Sequence, residues 1–271
     1  MRGRWLPKET GLSILPYCGP ASMSTLHHVL SPHSWSRTVK VSSVSRIWWA
    51  RHCLVVGLAV ALVALALASR AEWSPMHRWN RALGDASLVM VASAMAIGPL
   101  SRLWRPFALV VPFRRELGVY SIVLALAHAL VIILGWVELD LLRLLGLEFH
   151  PRLQRYVMVQ HGFALANVVG ILAFIYGTVL AGTSNDASMR TLGPTIWKFV
   201  QRGTYVFWWL VVMHTGYFLF IHFLSFHREI PEFNWAQWPF LAVVLAVVFL
   251  QFAASALTWR NSRKTSPMPT H

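Results

Sequence analysis

Apolar residues run along this chain in long unbroken blocks, with polar residues confined to the gaps between them. A block of about 20 such residues is long enough to cross a hydrocarbon core of about 30 Å as a helix. Six blocks meet that requirement, at about Ile47–Ser69, Gly84–Leu103, Leu117–Val137, His161–Ala181, Val200–Leu224 and Trp238–Trp259. The pattern predicts an all-α, polytopic membrane protein built as a six-helix bundle. Trp48, Trp73, Trp104, Trp136, Trp197, Trp235 and Trp259 flank the blocks, as interfacial anchors do. Composition agrees: 56% of the 271 residues are hydrophobic and 13% are charged, about half the charged share of a soluble domain.

The segments between blocks are short. The longest, around Glu138–Gln160, is too small for a soluble catalytic domain, so the chemistry belongs in the bilayer or to a partner. The flanks divide as a tail over 1–46, the transmembrane domain over 47–259 and a short basic cytoplasmic tail over 260–271. The first tail is rich in Ser, Pro, His and Arg and lacks the apolar region of a secretory signal. It is expected to be a disordered basic cytoplasmic extension or an over-extended gene start before Met23; a transit peptide is the less favoured reading.

The net charge of +14 changes the picture only in orientation. The basic residues sit beside the blocks and not on one continuous face, which favours the membrane over nucleic acid as partner. Seventeen Lys and Arg fall on one side of the predicted bundle and seven on the other. The positive-inside rule then places both termini in the cytoplasm of a cell whose inner (plasma) membrane holds the chain. Cys18 and Cys53 form no CxxC pair, and no Walker, GxGxxG or zinc-type spacing occurs, so no flavin or nicotinamide site is expected here.

Two histidines lie well inside blocks. His128 follows Arg115 by 13 residues, about 20 Å of helix, and His214 follows Arg202 by 12, about 18 Å. Equal depth on two helices is what a porphyrin iron held by two axial imidazoles requires. Ser121 and Gly135 share the His128 face; Gly203, Phe207 and Leu210, then Tyr217 and Phe218, line that of His214. Ala166, Gly170, Ala173 and Gly177 form a small-residue stripe for close approach. A membrane histidine also simply hydrogen-bonds to a neighbouring helix, and two of them can belong to a proton path or a haemless scaffold. His161 and His222, near the outer end, are candidates for a second ligand or a relay.

The same residues carry a family resemblance. "RRELGVYSIVLALAHALVI" resembles the third-helix motif of the ferric-reductase-like transmembrane domain family, "GDASLVMVASAMAIGPLSRLW" its second helix, and "AFIYGTVLAGTS" and "LGPTIWKFVQRGTYVFWWLVVMHTGYFLF" its fourth and fifth, together covering about residues 84–224. Within the family, size and the lack of an attached flavin domain are most similar to the haem-binding membrane subunit of the bacterial methionine sulfoxide reductase system. The resemblance implies at least one haem b ligated by His128 and His214. It implies electrons from a cytoplasmic flavoprotein reductase or membrane quinol, passed to an outer-side redox partner or ferric iron. One departure stands out: Gln201 occupies the place of the family's first histidine on the fifth helix, and Arg114 or Arg115 that of its inner partner. Gln201 is therefore a candidate for weak ligation or hydrogen bonding at a second haem.

Overall fold

The computed structural model describes residues 37–158, 161–222 and 235–265. Six of its helical stretches are long and apolar enough to cross a membrane. Helix α1 spans Arg37–Ala68 and α2 Pro75–Leu103; α3 spans Phe113–Val131 and continues as a π-helical turn over Ile132–Trp136. A short α4 (Leu141–Leu144) and a hairpin of β1 (Leu147–His150) and β2 (Arg155–Met158) follow. Then come α5 (His161–Thr183), α6 (Asp186–Arg202), α7 (Thr204–Gly216) with a second π-helical turn over Tyr217–Ile221, and α8 (Gln237–Thr265).

Several boundaries move from their sequence positions for physical reasons. Helix α1 begins at Arg37, inside the stretch expected to lack regular structure; residues 1–36 lie outside the described ones. Helix α2 begins at Pro75, not Gly84, because Pro fits the first turn of a helix and the polar residues that follow find partners within the bundle. The fifth apolar block holds the end of α6 and all of α7, which Gly203 separates; upstream of the block Gly193, at φ 74° before Pro194, kinks α6. Helix α8 continues past Trp259 into the basic tail as far as Thr265, and the remainder lies outside the described residues.

The bundle is all-α, and the segment between α4 and α5 adds one short strand pair. Leu147 pairs with Met158 and His150 with Arg155 in an antiparallel ladder. Gly146, at φ 71°, turns the chain out of α4 into that ladder, and Pro151 lies in its turn. The α-helical periods on either side hide so short a strand pair.

Helix α2 is the axle of the bundle. Over half of its apolar stretch (56%) is buried, against 11–28% for the other five. Leu88, Val91, Ala92 and Met95 pack against Ile122, Ala173, Phe207, Trp208 and Val247. Its other side, Met90, Ala94 and Ile97, meets Val55, Ala59 and Leu117. Large apolar side chains such as Leu65, Leu126, Ile175, Val179, Phe249 and Phe252 point outward and stay exposed, as lipid contact demands. The alternating helices give the bundle a hairpin end, with α4, β1 and β2, and an arginine end, with Arg102, Arg105, Arg114, Arg115, Arg190 and Arg202.

At the hairpin end Arg70 is only 3% exposed. It pairs with Asp85 and lies 5.5 Å from the centre of Trp73 and 5.1 Å from that of Trp235. Removing the carboxylate leaves a buried cation without its counter-charge, so Asp85→Ala is expected to cost about 3–5 kcal/mol. Arg70→Met, which keeps the volume and leaves only a half-wet carboxylate, should cost clearly less. Chemical unfolding of the detergent-solubilised variants checks that order.

Candidate histidine site

His128 on α3 and His214 on α7 face one another. Their ring centres lie 6.5 Å apart, and the ring planes are almost perpendicular at 87°. Both rings are only half-buried, so protein atoms do not fill the space over them. Each imidazole is fixed from behind. His128 Nδ1 donates to the carbonyl of Asn80 on α2 at 2.9 Å, and His214 Nδ1 to that of Ala166 on α5 at 2.8 Å. A carbonyl only accepts, so Nδ1 carries the proton in both rings. That leaves the lone pair of Nε2 available to a metal.

A glycine one turn past each carbonyl makes this possible. A Cβ on Gly170 would stand 2.6 Å from His214 Nδ1, and one on Gly84 3.3 Å from His128 Nδ1. The two half-sites repeat. Asn80, Gly84 and His128 become Ala166, Gly170 and His214 on moving 86 residues along the chain (80 to 166, 84 to 170, 128 to 214). Each histidine is also followed within one turn by a π-helical segment, an irregularity common where helices build sites. The pair is thus presented by two helix pairs, α2 with α3 and α5 with α7, that support their histidines in the same way.

Other residues expected at a site fall into distinct places. His214 meets Phe218 edge to face at 5.1 Å, and Phe218 touches both Phe163 at 5.8 Å and His222 at 5.4 Å. His222 is therefore one aromatic ring from the pair, in a cluster at the hairpin end. His161 opens α5, but its side chain lies outside the described ones. Gln201 sits at the other end of the bundle. Its amide nitrogen donates to Thr183 Oγ1 at 3.0 Å and Leu180 O at 3.4 Å, and its carbonyl accepts from Ser184 Oγ at 3.4 Å. Arg114 is tied to Ala94 O at 3.0 Å and Arg115 to Asp186 at 3.1 Å. Of the small-residue stripe, Gly170 serves the site while Gly177 accommodates Ile122 and Phe207.

Sequence reasoning missed Asn80, Gly84 and Arg81. Arg81 donates to Phe218 O at 3.4 Å and lies within electrostatic reach of both imidazoles. Asn80 Oδ1 and Tyr217 Oη are buried without a hydrogen-bond partner among the described residues. No group of three His, Cys, Asp or Glu able to hold a bare metal ion occurs among the described residues, so the pair suits a metal that brings its own equatorial ligands.

Residues 83–212 match the family of ferric reductase like transmembrane components. This stretch is similar to a ferric-reductase-like transmembrane domain. Two curated relatives agree with that. The chain is 29% identical over 157 residues to the protein-methionine-sulfoxide reductase heme-binding subunit MsrQ of Ralstonia nicotianae, covering 56% of this chain and 64% of the relative. It is 28% identical over 172 residues to the MsrQ of Polaromonas naphthalenivorans, covering 57% and 67%. The chain thus spans about two thirds of the length of the relatives it matches. The matched domain includes His128 and Gln201 and stops two residues short of His214.

Proposed function

We propose that the chain is a membrane electron-transfer subunit that holds one b-type haem between His128 and His214. The single observation that carries this is the ring separation. A metal–nitrogen bond of about 2 Å, plus about 1 Å from nitrogen to ring centre, on both sides of an iron requires roughly 6–7 Å between ring centres. The observed 6.5 Å fits. The donor chemistry fits as well, since both Nε2 atoms carry lone pairs and both Nδ1–H groups are held by carbonyls. When bound, the haem supplies a one-electron carrier whose potential follows its axial ligands and the polarity of its pocket.

The residues of this chain do the rest. Asn80 and Ala166 hold the tautomers, Gly84 and Gly170 let the rings lie against the helices, and the apolar core excludes water. The arginine end faces the cytoplasm and the hairpin end the outside of the plasma (inner) membrane, by the positive-inside bias. Electrons come from a cytoplasmic flavoprotein reductase or from membrane quinol, and leave on the outer side to a redox partner or ferric iron. The relatives' name favours a methionine sulfoxide reductase as that partner.

Gln201 is a hydrogen-bonding hub in this reading, not a second ligand, because its amide is engaged on both sides. Gln201→Ala is expected to leave the haem spectrum unchanged while lowering stability by about 1–2 kcal/mol. Absorbance spectra and unfolding of the purified variant check both halves. The proposal itself is tested by the spectrum of the purified chain: a low-spin Soret band is expected, and its absence from protein grown with ample haem would refute it.

A further inference from the structure

Two segments at the arginine end contribute nothing to the core. The first is a 3-10 helix over Arg105–Val110, between α2 and α3, and the second is α6; neither has a buried residue. Both carry large apolar side chains all the same. Trp104, Phe107 and Leu109 are exposed along the first, Leu109 by 80%, and Ile196 and Phe199 along the second, Phe199 by 73%. Over residues 102–115 and 186–202 seven Arg and Lys stand against a single carboxylate, Asp186.

The spans fix where these segments lie. Helix α7 and its π-helical turn, 13 and 5 residues, already cover about 27 Å, most of a hydrocarbon core. With α6 the stretch reaches 36 residues, about 54 Å if straight, so α6 lies outside the core. The chain turns back there. Gly193 adopts φ 74° and ψ 157°, and Trp197 Nε1 donates at 2.8 Å to the carbonyl of Thr183, the last residue of α5. Each segment is tethered to a span at both ends, and Arg115 Nη1 bonds Asp186 at 3.1 Å, which joins the start of α3 to the start of α6. Neither segment can leave the membrane surface.

Beyond the Gly193 kink, Ile196 and Phe199, three apart, share one face of the helix, and Lys198 and Arg202, four apart, share a neighbouring one. An apolar face beside a basic one is the pattern of a helix lying in a membrane interface. Apolar side chains there sink to the acyl boundary, while guanidinium and ammonium groups rise to the headgroups and meet phosphate. A soluble partner would meet the same cations only after displacing lipid from Leu109, Ile196 and Phe199.

We infer that the two segments form one binding surface for anionic phospholipid, its phosphates held by Arg102, Arg105, Arg190, Lys198 and Arg202 and its acyl chains by Leu109, Ile196 and Phe199. The helices that carry the histidines both begin at this surface, α3 at Phe113 and α7 at Thr204, so bound lipid pins the starts of both. The inference does not depend on what the histidine pair holds.

The test is native mass spectrometry of the delipidated, detergent-solubilised chain titrated with phosphatidylglycerol or with phosphatidylcholine of the same acyl chains, the thermal unfolding midpoint being read in parallel. Phosphatidylglycerol is expected to bind about tenfold more tightly and to raise the midpoint, and its advantage should shrink as salt rises from about 0.05 M to about 0.5 M. Arg190→Gln/Lys198→Gln/Arg202→Gln should lose the preference, and Arg190→Lys/Arg202→Lys should keep most of it. Arg152→Gln/Arg155→Gln, at the hairpin end, should leave it unchanged. Ile196→Ser/Phe199→Ser should weaken both lipids together. Equal binding of the two lipids, an unchanged preference in the triple glutamine variant, or a midpoint raised as much by inorganic phosphate would overturn the inference, the last by making the patch a simple anion site. Polyglutamate that displaces phosphatidylglycerol at equal charge would overturn it too, by marking the face as a dock for an acidic protein.

Discussion

His128→Ala and His214→Ala are each expected to abolish the low-spin haem spectrum, not merely to weaken it. Each ring would supply one of the two protein ligands to the haem, and the remaining histidine alone would not give a low-spin centre. Among the described residues no group of three His, Cys, Asp or Glu stands ready to replace the lost ligand. The nearest rings beyond the pair are Phe218 and, past it, His222, which packs in the aromatic cluster and not opposite His128. Haem content by the pyridine haemochrome assay, together with the absorbance spectrum, checks the result. A size-exclusion profile like that of the parent shows that the bundle still folds, because both histidines are half-buried and their loss opens no large core cavity.

Gly170→Ala is expected to cost the chain most of its haem. Glycine to alanine in a helix ordinarily stabilises by about 1 kcal/mol. Here the added Cβ would stand 2.6 Å from His214 Nδ1 and Cε1, so the imidazole must leave the Ala166 carbonyl. Loss of such a support typically costs about 10–100-fold in metal affinity. Gly84→Ala is the internal control. Its Cβ would stand 3.3 Å from His128 Nδ1, a distance that a small ring shift relieves, so this variant should keep most of its haem. Haem-to-protein ratios of the two variants decide the matter. Equal occupancy in both would mean that the glycines do not position the rings.

Much of this arrangement could be read from residues alone. The depth of His128 and His214 follows from counting along two apolar blocks, and the structure brings the two rings together. Their supports were less legible. Asn80 and Arg81 lie in the polar first turns of α2, which hydropathy assigns to a loop, so Gly84 looked like a boundary residue and not a cradle. The signal that would have found them is the repeat that carries Gly84 and His128 onto Gly170 and His214. It is a pattern of three positions without surrounding identity, hard to see until the hydrogen bonds pick them out. The hairpin of β1 and β2 was hidden for another reason: four-residue strands carry too few alternations to compete with helical blocks on both sides. Gln201 stood out in the sequence, but its hydrogen bonds to Thr183 and Ser184 depend on a turn between α5 and α6 that no spacing rule predicts.

The most direct test of the central claim is electron paramagnetic resonance of the oxidised, purified protein, integrated against protein concentration. With the two imidazole planes at 87°, the account predicts one strongly anisotropic low-spin ferric signal per chain, of the kind given by perpendicular axial imidazoles. A high-spin signal, a rhombic signal from parallel rings, or no ferric haem at all would contradict it.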